Sequence, residues 1–141
     1  MTNNRRFVFD TNVLISAFLF SQSKPRQALD QAIVIGVIVL SNSVLSELEE
    51  VLYRPKFDRY LTKERRQEFL ENLTENAQFI DVTELINECR DPKDNKYLEL
   101  ALNCQAECIV TGDDDLLVLN PWRGIEILTV QEFLASNTNS L

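Results

Sequence analysis

The sequence predicts an α/β domain in which a central parallel sheet of about five strands is covered by helices on both faces. Three observations predict it. Short apolar runs rich in Val and Ile end abruptly in Asp, Ser or Thr-Gly-Asp. Segments with helical patterning separate most of these runs, and alternation of this kind builds parallel sheets through right-handed crossovers. The runs are apolar throughout rather than alternating, as expected of strands buried on both faces.

In chain order, the strands expected are Phe7-Val8-Phe9, Val37 to Leu40, a weaker Phe79 to Val82, Cys108-Ile109-Val110 and Ile125 to Leu128. Helices are expected over 11–19, 25–35, 43–52, 63–76, 95–105 and 130–135. Pro25 suits a first helical turn. Ser43 with Ser46-Glu47 and Thr62 with Arg65 offer N-caps, and Thr129 with Glu132 spells a capping box. The stretch from Ser43 to Asn76 holds at least two helices and no strand, which reads as an inserted helical arm. No repeat, low-complexity tract or Gly/Ser linker interrupts the chain. It reads as a single domain over residues 1–141, with a core over about 7–134 and a frayed tail, SNTNSL.

Composition bounds the chemistry. The chain has 141 residues, 45% hydrophobic and 26% charged, the mix of a globular protein able to bury a core. No apolar run approaches the 18 or more residues of a membrane span, and residues 1–10 lack a signal-peptide core, so a cytoplasmic location is expected. Cys89, Cys104 and Cys108 form no CxxC pair and read as buried free thiols. Histidine is absent, which excludes Ser-His-Asp and Cys-His catalysis and imidazole-bound metals. Carboxylates, lysines, hydroxyls and metal ions remain. The net charge of −8 opposes broad attraction to nucleic acid. Carboxylates converging on bound divalent cations would reverse that sign locally.

Ligands of open parallel sheets bind beyond the carboxyl ends of the strands. Four separate segments place acids there: Asp10 after the first strand, Glu47 in the helix after the second, Asp94 opening the helix before the fourth, and Asp113 with Asp115 after it. Singly, each has a structural explanation. Asp10 and Asp94 would cap helices, Glu47 would be solvated beside Glu49 and Glu50, and Asp113 to Asp115 would form a turn. Together at one end of a sheet they form a set. Two carboxylates about 5 Å apart repel by roughly 3 kcal/mol at an effective dielectric of 20, so such a set requires protons or a cation. Oxygen-only ligands select hard ions, Mg²⁺ or Mn²⁺, whose natural chemistry with water and phosphate is phosphodiester hydrolysis.

Two other Asp-based folds fit less well. A haloacid-dehalogenase phosphatase needs a second Asp two residues after the first, where Asn12 stands. A receiver domain needs a phosphoacceptor Asp ending its third strand, whereas Asp81 lies inside a weak one.

The segments FDTNVLISA, SELEEVLYRPKF, DPKDNKYLELALNCQAECIVTGDDDLL and GIEILTVQEFL, in this order from about Phe7 to Leu134, resemble the PIN domain. They are most similar to its bacterial branch of toxin components of toxin–antitoxin systems, related to VapC-type toxins. The resemblance implies a PIN-like three-layer α/β/α fold and a Mg²⁺- or Mn²⁺-dependent endoribonuclease acting on single-stranded RNA. It implies Asp10, Glu47, Asp94 and Asp113 as catalytic, metal-binding carboxylates, with Asp115 as a supporting acid at the metal. Asn12, Thr11 and Thr111 would orient the site. A homodimer, and silencing by a small antitoxin, would follow for a toxin member. A non-toxin RNA-processing nuclease, or a non-catalytic RNA-binding or dimerisation module on the same scaffold, remains the alternative.

Asp91 and Asp114 rank below Asp94 and Asp113 as site acids. Lys24, Arg54 and Lys56 are candidate phosphate contacts, with ordinary surface charge the competing reading. Tyr53, Phe57 and Tyr60 read as packing or dimer contacts before base stacking.

Overall fold

The computed structural model describes residues 5–138, with side chains through Ser136. Five strands, β1 (Arg6–Phe9), β2 (Val37–Leu40), β3 (Gln78–Phe79), β4 (Cys108–Val110) and β5 (Glu126–Leu128), form one sheet in the order β3-β2-β1-β4-β5, every pair parallel. The helices are α1 (Thr11–Leu19), α2 (Lys24–Ile35), α3 (Asn42–Leu52), α4 (Lys63–Asn76), α5 (Asn95–Cys104), α6 (Asp114–Leu117) and α7 (Val130–Thr138). Two 3₁₀ turns, Pro55–Phe57 and Pro92–Asp94, precede α4 and α5. This is the three-layer α/β/α arrangement expected, with α5 lying on β1, β2 and β4.

Residues of opposite parity in β1 face opposite sides of the sheet. Phe7 and Phe9 take one side, where both meet the buried ring of Phe133 of α7 edge-on, at 5.4 and 5.8 Å between centroids. The short strands are almost wholly buried except β3, whose two residues are exposed. That edge is shorter than the four residues expected, because beyond Phe79 the chain keeps only the Ile80 N–H bond to Leu40 O, at 2.9 Å. A short edge strand is also one that resists pairing with other chains.

The helix ends follow local side-chain chemistry. Thr62 accepts from the Arg65 N–H, and Thr129 and Glu132 cap each other reciprocally at 3.1 and 2.9 Å. The cap of α3 differs from expectation. Ser41, still extended at the end of β2, accepts from the Val44 N–H at 3.2 Å, and Ser43 lies inside the helix. The last helix is also longer than expected: Ser136 to Thr138 continue α7, and residues 139–141 lie outside the described residues. Cys89, Cys104 and Cys108 are buried and free, as their composition suggested.

Gly36 joins α2 to β2 at a point of close approach. A Cβ built there would lie 2.4 Å from the Arg5 carbonyl oxygen and 2.5 Å from the Phe7 ring. Phe7 belongs to β1, and the Arg5 carbonyl just before that strand accepts the Val37 N–H at 2.9 Å, so neither can retreat freely. Gly36→Ala is expected to cost about 2 kcal/mol through overpacking. Urea melts would read this as a lower midpoint at unchanged slope. An unaltered midpoint would mean that β1 yields to the methyl group.

Candidate functional site

The strand order reverses between β1 and β4, and the crevice at such a switch point is where parallel sheets bind ligands. Asp10 leaves β1 on that line, its N–H still bonded to Val110 O of β4 at 2.9 Å. Its carboxylate is fixed at both oxygens. Oδ1 accepts the Asn12 N–H at 3.0 Å and Oδ2 the Thr111 hydroxyl at 2.6 Å. Thr111 in turn accepts the Asp113 N–H at 3.0 Å, and Asp113 Oδ1 accepts the Asp115 N–H at 2.9 Å. One chain of hydrogen bonds thus links the ends of the two central strands.

Glu47 reaches the crevice from α3. The Lys96 ammonium and the Tyr97 hydroxyl, both from α5, donate to its two oxygens. A phenol has one proton, which goes to the charged acceptor. The Tyr97 oxygen then receives the Thr11 N–H at 3.2 Å and stands 2.8 Å from the Thr11 hydroxyl. Burial works to raise the Glu47 pKa, and the bonds from Lys96, Tyr97 and Thr11 outweigh it, so Glu47 ends below its ordinary value. Burial raises Asp10, against the opposing bonds from Thr111 and Asn12.

Asp94 differs from these two. It ends the 3₁₀ turn Pro92–Asp94, is 8% exposed, and makes no capping bond to α5. Its Oδ2 is buried without a hydrogen-bond partner among the described residues. Burial, the adjoining Asp113 carboxyl, and the charges of Asp91 and Asp10 push its pKa up to about 7. A buried acceptor left unmatched costs its desolvation energy, on the order of 1–3 kcal/mol. A proton or a cation would supply the missing partner. Asp91, Asp94 and Asp115 also present carboxylate oxygens within 4.8 Å of one another.

Asp10, Glu47, Asp94 and Asp113 therefore line one hollow of about 750 Å³, together with Asn12 and Asp91. The donors are oxygens only, and one of them is orphaned. That combination fits a hard divalent cation. Asp91, Asp94 and Asp115 are the acids whose oxygens converge most closely there, while Glu47 already meets the positive charge of Lys96.

Several details depart from the sequence reading. Asp115, read as a supporting acid, stands within 4.8 Å of the Asp94 and Asp91 carboxylates and also pairs with Arg90 at 2.8 Å. Asn12 orients Asp10 through its backbone N–H, a service almost any residue could perform, while its exposed side chain borders the hollow. Of the candidate phosphate contacts, Arg54 lines the hollow and Lys24 and Lys56 do not. Asp91, ranked low, stands in the lining beside Asp94. Lys96 and Tyr97 were missed altogether. Their only signal is that they follow Asp94 at the start of a helix already pointed at the site.

A PIN domain family model matches residues 6–115 of the chain. The uncharacterised protein MJ1680 of Methanocaldococcus jannaschii is 34% identical over 116 residues, spanning 81% of this chain and 74% of that protein. Among solved structures, PAE2754 from Pyrobaculum aerophilum superposes with a TM-score of 0.62 at 14% identity, covering 94% of this chain and 89% of its own. VapBC2 from Rickettsia felis, bound to a DNA fragment from its promoter, gives 0.60 at 15% identity over 88% and 98%. At these identities the two structures attest the fold alone. The family model goes further: the chain belongs to the PIN domain family.

Proposed function

We propose that the chain is a divalent-metal-dependent endoribonuclease that hydrolyses phosphodiester bonds of single-stranded RNA, and that it serves as the toxin of a toxin–antitoxin pair. The observation that carries the nuclease reading is the buried, unpartnered Oδ2 of Asp94 in a hollow lined by further acids. Asp94 with Asp10, Asp113 and Asp115 would hold Mg²⁺ or Mn²⁺, with Asp91 beside Asp94 and Glu47 held against Lys96 at the edge of the set. Bound there, the ion would supply positive charge to phosphate oxygens and lower the pKa of water.

The chain's own groups set the stage for this. Thr111 and the Asn12 N–H hold Asp10 in one orientation, so no rotamer search precedes binding. Lys96 neutralises Glu47 and lessens the repulsion a phosphate would meet on that side. Without a cation, Asp94 holds a proton near neutral pH and the hollow stays less negative than its residues suggest. The toxin role draws support from the VapBC2 assembly that shares the fold. A small antitoxin and a second copy of the chain are the partners this reading supplies.

The purified protein is expected to cut a single-stranded RNA oligonucleotide with Mg²⁺ or Mn²⁺ and to stop with EDTA. Asp10→Asn should abolish cutting while the near-UV circular dichroism stays parental. Cutting by this variant at the parental rate would overturn the assignment of the site. Induced expression should arrest growth and the Asp10→Asn form should not. Unimpeded growth with an active enzyme would favour an RNA-processing nuclease over a toxin.

A further inference from the structure

The acid hollow explains where a phosphate could react but not how RNA is retained by a chain of net charge −8. The charge is unevenly distributed. Residues 53–66 hold six of the chain's 14 lysines and arginines against two acids, Asp58 and Glu64. This segment leaves the end of α3, passes through the 3₁₀ turn Pro55–Phe57 and enters α4.

One of the six is structural. Arg66 is buried, donates to Leu52 O at 3.0 Å and to Asp58 at 3.1 Å, and lies against the Tyr53 ring. It anchors the segment to the body of the protein. Arg65 lies over the Phe18 ring, 5.8 Å from its centre, and the remaining four are exposed. Arg54 has only the exposed Glu50 at 3.4 Å, a pair worth little in water. Lys56, Arg59 and Lys63 have no carboxylate partner among the described residues. Tyr53 and Tyr60, read from the sequence as packing or dimer contacts, are 40% and 63% exposed. The guanidinium of Arg59 lies 6.0 Å from the Tyr60 ring centre.

We propose that Arg54, Lys56, Arg59, Tyr60 and Lys63 form a binding surface for single-stranded RNA that begins at the lip of the acid hollow. Arg54 belongs to both: it lines the hollow and opens the basic segment. Cations track the phosphates, while exposed rings stack on bases, and both act without reading sequence. The rings favour a single strand, because a duplex keeps its bases stacked away from them. A second copy of the chain is a poorer occupant. A two-fold interface would set this cationic surface against itself. The inference rests on the ribonuclease reading for what happens to the strand in the hollow, but not for binding to the surface.

The test is equilibrium binding of a fluorescent twelve-nucleotide oligouridylate to the full chain, measured by anisotropy in EDTA across a salt series. The triple variant Lys56→Ala/Arg59→Ala/Lys63→Ala should bind about tenfold or more weakly, with the log–log salt slope shallower by about 2. Tyr60→Ala should weaken binding about fivefold or more with the slope unchanged. Parental affinity and slope in the triple variant would overturn the proposal, as would a parent that fails to bind. A triple variant that loses a dimer by sedimentation yet keeps its RNA affinity would assign the surface to a second copy and overturn it too. Binding by the parent without any cleavage in Mg²⁺ or Mn²⁺ would strike the nuclease reading and leave this one standing.

Discussion

Asp94→Asn is expected to remove RNA cleavage, by about a thousandfold or more, and to raise the melting temperature of the metal-free protein at pH 8 by about 5 °C. Both effects come from one atom. In the parent, Oδ2 is buried without a partner, in a hollow also lined by Asp10, Asp91 and Asp113. Asparagine keeps the shape, discards the charge and no longer offers a divalent ion an anionic ligand. The stability gain depends on pH in a defined sense. The folded Asp94 titrates at about 7 against an ordinary 3.8, so the folded state binds its proton more tightly than the unfolded chain. That contribution is complete below about pH 4 and is lost as pH rises through 7.

Metal-free parent should therefore melt lower at pH 8 than at pH 5.5, by an amount corresponding to about 2 kcal/mol. The asparagine variant should show a flatter profile. Saturating Mg²⁺ should restore much of the parent's loss at pH 8 and do little for the variant. Differential scanning calorimetry with and without EDTA reads all of this. A variant that melts lower than the parent at pH 8 would show that the Asp94 carboxylate is well solvated after all.

Tyr97→Phe is the second change with a large expected effect, about 2–3 kcal/mol of stability and about tenfold or more in cleavage rate. The side chain is 1% exposed, and its oxygen serves Glu47 and both polar groups of Thr11. Phenylalanine fills the same space but strands a buried N–H beside a carboxylate. Burial and the nearby Asp10 charge raise the Tyr97 pKa, so the phenol stays neutral and keeps donating. Without it Glu47 retains only Lys96 and Thr11, and its pKa should move up toward the ordinary range. Urea melts and initial rates at two pH values would register both losses. Parental values in both would mean that Lys96 alone holds Glu47.

The strands and helices were legible because burial on both faces leaves an unbroken apolar signature, as in Val37 to Leu40, and turn residues close each run. The four acids were legible because the topology of a parallel sheet says where strand ends go: Asp10 follows β1 directly, and Asp113 follows β4 after Thr111 and Gly112. What a one-dimensional pattern cannot carry is pairing at a distance. Lys96 meets Glu47 across 49 positions, and nothing in NKYLEL distinguishes a lysine turned toward an acid from one turned toward water. Asp91 and Asp94 are three apart in DPKD, and only the 3₁₀ turn decides that both border the hollow. The exposure of Tyr53 and Tyr60 was equally hidden in the pattern. Helical spacing implies packing only while the helix lasts, and α3 ends at Leu52.

The middle of the sheet is the first strand to be synthesised and among the last to be completed. β1 gains its second neighbour only when β4 emerges, and Asp10 finds the Thr111 hydroxyl 101 residues later. Pairings this remote in sequence make folding slow and late-closing. A growing polypeptide stalled before Thr111 therefore has Asp10, Glu47 and Asp94 but no closed crevice between β1 and β4. Completion of the acid-lined crevice therefore waits on the segment from Cys108 onward.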